Sequence, residues 1–178
     1  MSSLSYDSST TLDRIESLAT DLFGTRGESE NQEPTGAAGL MPRVQVLFVA
    51  KQGGPVVTEE IGPYWDARVY LYTKRKKGEW TGYHAEMMIV SAMLRMLSRD
   101  ARDLTVMEAK DLLGQCGAPV IAANAACCKH CSNMLDLLGI VHPTGSTKAS
   151  LTGWWNPFTD AVYAHGSTEF GKDVPGEN

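Results

Sequence analysis

The sequence predicts an α/β fold, helices layered on a partly parallel sheet, and three observations carry that expectation. Apolar residues recur at helical spacing in several separated stretches. Between them lie short runs rich in Val, Ile and Tyr that read as strands. The two patterns alternate, which favours parallel pairing through right-handed crossovers. A chain of 178 residues, 43% of them hydrophobic, suffices for one domain with a core and is short for two.

Leu12, Ile15, Ala19 and Leu22 give residues 1–23 a helical stripe that should lie on the main body, and Thr10 stands three residues before Asp13 as in a capping box. Residues 24–42, with Glu28, Glu30, Gln32, Pro34 and several glycines, show no apolar period and read as a flexible linker. The main domain is expected over 43–170, followed by a disordered tail over 171–178. Its first strand is the apolar run Val44 to Val49, and Arg68 to Tyr72 alternates like a half-buried strand. Turn formers Gly53, Gly54, Pro55, Gly62 and Pro63 lie between them. Met87, Val90, Leu94 and Leu97 form the core stripe of a helix beginning near His84.

Thr105 with Glu108 is a second capping box, and Gly114 marks the expected end of that short helix. Pro119 to Ala123 reads as a strand. Lys129 to Leu138 reads as a helix through Met134, Leu135 and Leu138, closed by Gly139 in the left-handed conformation. Ile140-Val141 and Ala161 to Tyr163 complete the strands.

The net charge of −5 argues against a broad electrostatic grip on nucleic acid. A local grip remains open through Lys74, Arg75, Lys76 and Lys77, which equally suit a solvated hairpin tip. No apolar run of membrane-spanning length occurs, and the Ser-rich start lacks the basic and apolar regions of a secretory signal, so a cytoplasmic protein with no membrane partner is expected. A reducing compartment would keep Cys116, Cys127, Cys128 and Cys131 free, and intracellular cysteine clusters are more often metal-binding or catalytic than cross-linked.

The chemistry concentrates in His84-Ala85-Glu86 and Cys127-Cys128-Lys129-His130-Cys131. Neutral imidazole and thiolate suit zinc, and three protein ligands leave a fourth position open for water. Cys128 and Cys131, three apart at a helix start, can face one point, with His84 as third ligand and Glu86 free for proton transfer. Helix dipoles at both starts favour thiolate over thiol. Other readings use the same residues. A redox Cys-x-x-Cys leaves His84 and Glu86 unexplained, whereas a structural zinc site would recruit His130 or Cys116 as fourth ligand. Cys127 offers an alternative ligand register, but reads better as a small buried residue at the helix start. His142 and His165 are ordinary histidines by their setting.

Over roughly residues 43 to 165 the chain resembles the cytidine deaminase superfamily, zinc-dependent nucleobase and nucleoside deaminases with an H-x-E and P-C-x-x-C signature. The resemblance implies zinc held by His84, Cys128 and Cys131, and Glu86 as general acid and base. It also implies a three-layer α/β/α sandwich around a mixed sheet of about five strands. Cys127 departs from the pattern, standing where the signature has proline. The implied reaction is hydrolytic loss of ammonia from a ring carbon of cytosine, adenine or a similar base.

Cys127 to Cys131, Gly139-Ile140 and Gly153 to Pro157 together resemble deaminase domains of bacterial polymorphic toxins, some of which act on cytosine in DNA. A toxin domain would be delivered into a target cytoplasm. Trp154 or Trp155 would then stack on an extruded base and Asn156 read its edge, the alternative being a loop pinned to the core. Tyr83 would line the pocket or simply pack. The expected activity is conversion of cytosine to uracil in single-stranded DNA. Its competitors are a deaminase of free nucleosides, which an acidic chain suits, and a zinc-stabilised binding module without turnover, which has no use for Glu86.

Overall fold

The computed structural model describes residues 8–24, 36–51, 56–60, 84–143, 145, 154–159 and 162–163, and its central strand is one that the apolar pattern conceals. In chain order the elements are α1 (Ser8–Phe23), β1 (Gly36–Met41), β2 (Val46–Lys51), β3 (Val56–Glu60), α2 (Ala85–Met96), a 3₁₀ turn (Ala101–Asp103), α3 (Val106–Gln115), β4 (Val120–Ala123), α4 (Lys129–Leu137), β5 (Trp154–Trp155) and β6 (Val162–Tyr163). The class is mixed α/β.

Strands β3, β2, β1 and β4 form one sheet in that spatial order, and β5 pairs with β6 apart from it. Strand β1 lies inside the stretch expected as a linker, yet all six of its residues are buried. Its first four residues, Gly36, Ala37, Ala38 and Gly39, are too small to display a strand period but suit a strand covered on both faces. A Cβ at Gly39 would lie 2.8 Å from Ile89 Cγ2, so the missing side chain is what lets α2 settle on the sheet.

All three pairings in the sheet are antiparallel. Among the described residues parallel pairing survives only as a bridge between Val120 and Val141, so Ile140-Val141 contributes one rung rather than a strand. Strand β2 begins two residues later than expected, and α1 begins at Ser8, which puts Thr10 inside the helix rather than at its cap. The expected strand Arg68 to Tyr72 lies outside the described residues.

Alternation along the strands sends side chains to two cores. Ala38, Leu40, Leu47, Val49, Val120 and Ala122 meet Ile15 and Ala19 of α1. Ala37, Met41, Phe48, Ala50, Ile121 and Ala123 meet Met87, Val90 and Leu94 of α2, together with Leu113 of α3 and Leu135 of α4. Asn124, just after β4, binds these layers at one corner. Its Oδ1 accepts from Gly36 N at 3.1 Å, and its Nδ2 donates to Gly24 O at 3.1 Å.

The later helices follow their expected signals closely. Thr105 Oγ1 accepts from Glu108 N at 3.1 Å and starts α3. That helix passes Gly114 and reaches its left-handed residue at Gly117, φ 81°, while α4 closes at Gly139, φ 67°. Among the described residues no helix is long and apolar enough to cross a membrane.

Candidate metal centre

Two helix starts converge at the carboxyl end of β4. The chain leaves that strand at Ala123 and enters α4 with Cys128 as N-cap, while His84 is the N-cap of α2. Both caps have extended backbones, which turn their side chains away from the helix axis and toward each other. His84 Nδ1 lies 3.3 Å from Cys131 Sγ and 3.5 Å from Cys128 Sγ. All three donor atoms fall within 4.8 Å of one another.

These separations fit zinc. With metal–nitrogen and metal–sulfur bonds of about 2.1 and about 2.3 Å, a tetrahedral site has nitrogen–sulfur edges of about 3.6 Å. One imidazole and two sulfurs also form a donor set soft enough to favour zinc over magnesium or calcium. The three residues that would hold the metal are His84, Cys128 and Cys131. Cys116, Cys127 and His130 are not among the grouped donors, so the expected register on Cys128 is the one whose atoms come together.

The protonation of the metal-free site is uneven. The Cys131 thiol donates to Cys128, the main reason that Cys128 is held down to about 4; burial opposes this, while His84 and the Cys131 amide at 3.4 Å assist. Cys131 itself is pushed well up, first by burial and then by the hydrogen bond and charge it shares with Cys128 and by the charge of Glu86. Burial alone would push His84 down, but the hydrogen bond with Cys128 and the charges of Glu86 and Cys128 outweigh it and raise the imidazole. One thiolate is therefore ready before any metal arrives.

Glu86 stands in the first turn of α2, only 3% exposed, beside the donor triangle but not part of it. The Cys127 thiol is held far above the usual thiol range, first by burial and then by the charge of Glu86 and hydrogen bonding with it. Cys127 is expected from sequence only as a small buried residue, and its partnership with Glu86 has no local signature. The fact that it precedes the N-cap of α4 was the available clue.

Trp154 and Trp155 are buried in the main core at 1% and 8% exposed, the arrangement expected of a loop pinned by its tryptophans rather than of an open stacking platform. They form strand β5 instead of a loop. The rings of Trp154 and His130 lie 5.7 Å apart, which ties this segment to the first turn of α4. Asn156 is fully buried; its Oδ1 accepts from Phe158 N at 2.8 Å in an Asx turn, and its Nδ2 has no hydrogen-bond partner among the described residues. His142 is placed away from the metal group, with Nε2 2.7 Å from Asp136 Oδ1. Tyr83, His165 and the basic run Lys74, Arg75, Lys76 and Lys77 lie outside the described residues.

No family pattern, curated protein or solved structure matches this chain. The chemistry of the site therefore rests on its own residues.

Proposed function

We propose that this chain is a zinc-dependent deaminase of the cytidine deaminase type, converting cytosine to uracil, with single-stranded DNA as its preferred substrate. The observation that carries the reading is the buried Glu86 carboxylate beside a triangle of one histidine and two cysteines. A binding module needs the triangle alone, and a buried acid costs stability unless it is used or well partnered. In this reading the described sheet, with helices on both faces and the Val120–Val141 rung, is the core of the three-layer sandwich of about five strands.

When bound, zinc makes water acidic enough to serve as a nucleophile near neutral pH. Glu86 accepts the proton that water gives up, as oxygen attacks the ring carbon bearing the amino group. The same carboxyl then delivers that proton to the ring nitrogen and assists departure of ammonia. His84, Cys128 and Cys131 would hold the metal through one nitrogen and two sulfurs.

In this reading Asn156 would be the residue that selects cytosine over adenine. Its buried Nδ2 has protons to donate, and cytosine carries a carbonyl oxygen next to the ring nitrogen that Glu86 protonates, where adenine carries a C–H. A base within a duplex must first be unstacked at a cost of a few kcal/mol, which favours single strands. Lys74 to Lys77 would supply the backbone contacts. The net charge of −5 favours a second reading, a deaminase of free cytidine or deoxycytidine.

The test is base conversion by zinc-loaded protein on cytidine, single-stranded DNA, duplex DNA and RNA, with Glu86→Gln in parallel. Single-stranded DNA is expected to react fastest, and Glu86→Gln to lose about 10²- to 10⁴-fold while keeping its zinc. Conversion of cytidine alone would sink the nucleic-acid reading. Zinc binding with no conversion of any substrate would favour the binding module.

A further inference from the structure

We propose that Asn124 is a positioning residue for the metal centre, its side chain ending strand β4 and setting the direction of the loop that carries Cys128. The inference rests on the metal-binding half of the reading above and needs no turnover.

The register of the sheet supplies the first observation. Ala37 of β1 faces Ala123 of β4, so the next rung of the ladder would join Gly36 to Asn124. Backbone makes only half of that rung. Asn124 N donates to Gly36 O at 2.9 Å, but Gly36 N donates to Asn124 Oδ1 at 3.1 Å in place of the Asn124 carbonyl. A side-chain oxygen thus satisfies the buried amide of Gly36, and the released backbone lets the chain bend away from the sheet at this residue.

The other side of the same amide faces the end of α1. Nδ2 donates to Gly24 O at 3.1 Å and lies 3.4 Å from Phe23 O, carbonyls that a helix end leaves without an internal partner. A Cβ on Gly36 would fall on the Phe23 ring, so this corner closes only around a glycine. Asn124 is therefore held by two elements, α1 and β1, that carry no metal ligand.

Cys128 follows four residues later as the N-cap of α4. Of the residues between, Ala125 is half-buried and Ala126 exposed, and their methyl groups give the turn little to grip. Downstream, Cys128 is fixed through α4, whose Met134, Leu135 and Leu138 lie in the main core. Upstream, its place depends on how the chain leaves β4, which Asn124 sets. The 3.5 Å approach of Cys128 Sγ to His84 Nδ1 needs both ends of the loop held. Residues that support ligands in this way tune how tightly a metal is bound.

Zinc affinity, read by competition with a chelating dye, and the visible spectrum of the cobalt(II)-loaded protein test the proposal. In Asn124→Ala the Gly36 amide loses its side-chain acceptor and draws the backbone carbonyl of position 124 back into the ladder, straightening the exit from β4. Zinc affinity is expected to fall about tenfold, the low end of the range for residues that support ligands. The sulfur-to-cobalt band should weaken with it, as Cys128 is drawn from its place. Asn124→Asp keeps an acceptor for Gly36 N at the same reach but sets a carboxylate against the Gly24 carbonyl, so it should melt lower than the parent and retain the parent's cobalt spectrum. Thr105→Ala, which loosens the start of α3, should keep both affinity and spectrum. Parent affinity and spectrum in Asn124→Ala overturn the positioning role whatever its melting temperature. A spectrum changed as much in Asn124→Asp as in Asn124→Ala overturns it too. A parent that binds neither zinc nor cobalt overturns the proposal together with the metal centre, whereas a parent that binds zinc and deaminates nothing overturns the deaminase reading alone.

Discussion

Helix α3 and helix α4 begin in the same way and for different purposes. At α3 the Thr105 hydroxyl accepts from an amide three residues on, an oxygen cap worth about 1 kcal/mol. At α4 the same role falls to Cys128 sulfur, 3.4 Å from the Cys131 amide, a longer and weaker contact. Helix α2 goes further: His84 occupies the cap and makes no side-chain capping bond at all. The site thus forgoes good caps at two adjacent helix starts. In their place stands a group of three donor atoms that could hold a metal, and the contrast can be broken at either end.

The largest effect is expected from the metal side. His84→Ala or Cys131→Ala should lower zinc affinity more than about 100-fold, beyond the range usual for residues that merely support ligands, and abolish conversion. Thermal unfolding read with and without a chelator gives the check. The parent should melt lower with chelator, and the variants should show no difference. A variant that still binds zinc with the parent's affinity would remove that residue from the site.

An intermediate effect comes from protons. Cys131 is shifted upward in the metal-free fold and so enters as a thiol, and zinc must displace its proton. Affinity therefore falls as pH falls, by about tenfold per pH unit for each proton displaced. His84, also raised, adds a second proton once it is charged, whereas Cys128, held down to about 4, adds none until the pH nears that value. Competition with a chelating dye across pH measures the slope, and a flat profile between pH 8 and pH 6 would contradict this order of deprotonation.

The smallest effect belongs to the ordinary cap. Thr105→Ala should cost about 1 kcal/mol in urea unfolding and leave zinc content and conversion untouched. A change in either would mean that α3 is coupled to the site.

The later half of the fold was legible because its signals are local. Thr105, Gly139 and the stripe from Met87 to Leu94 each speak through neighbours on one helix. Strand β1 was not. Its glycines and alanines carry no period, and their reason for being small is the pair of helices that close on them from both faces. Missing β1 also misdirects the topology: without it β2 and β4 look like neighbours joined through a helix, which suggests parallel pairing, and with it between them the three strand pairings of the described sheet are antiparallel.

The candidate site divides along the same line. The grouping of His84, Cys128 and Cys131 was readable because metal-ligand chemistry favours such residue types and the short Cys-x-x-Cys spacing at a helix start. The influence of Glu86 on the Cys127 thiol joins two elements distant in sequence, and only the assembled fold creates it. The burial of Trp154 and Trp155 was equally hidden, since an aromatic turn segment reads the same whether its rings serve a ligand or the core.

Asn124 has a consequence for engineering. One amide side chain grips the carbonyl of Gly24 and the amide of Gly36, so the two ends of the 25–35 segment are cinched together independently of what runs between them. Closing a loop twice as long costs only about 0.6 kcal/mol more. A reporter or targeting module inserted between Gly24 and Gly36 is therefore expected to leave both hydrogen bonds of Asn124 in place.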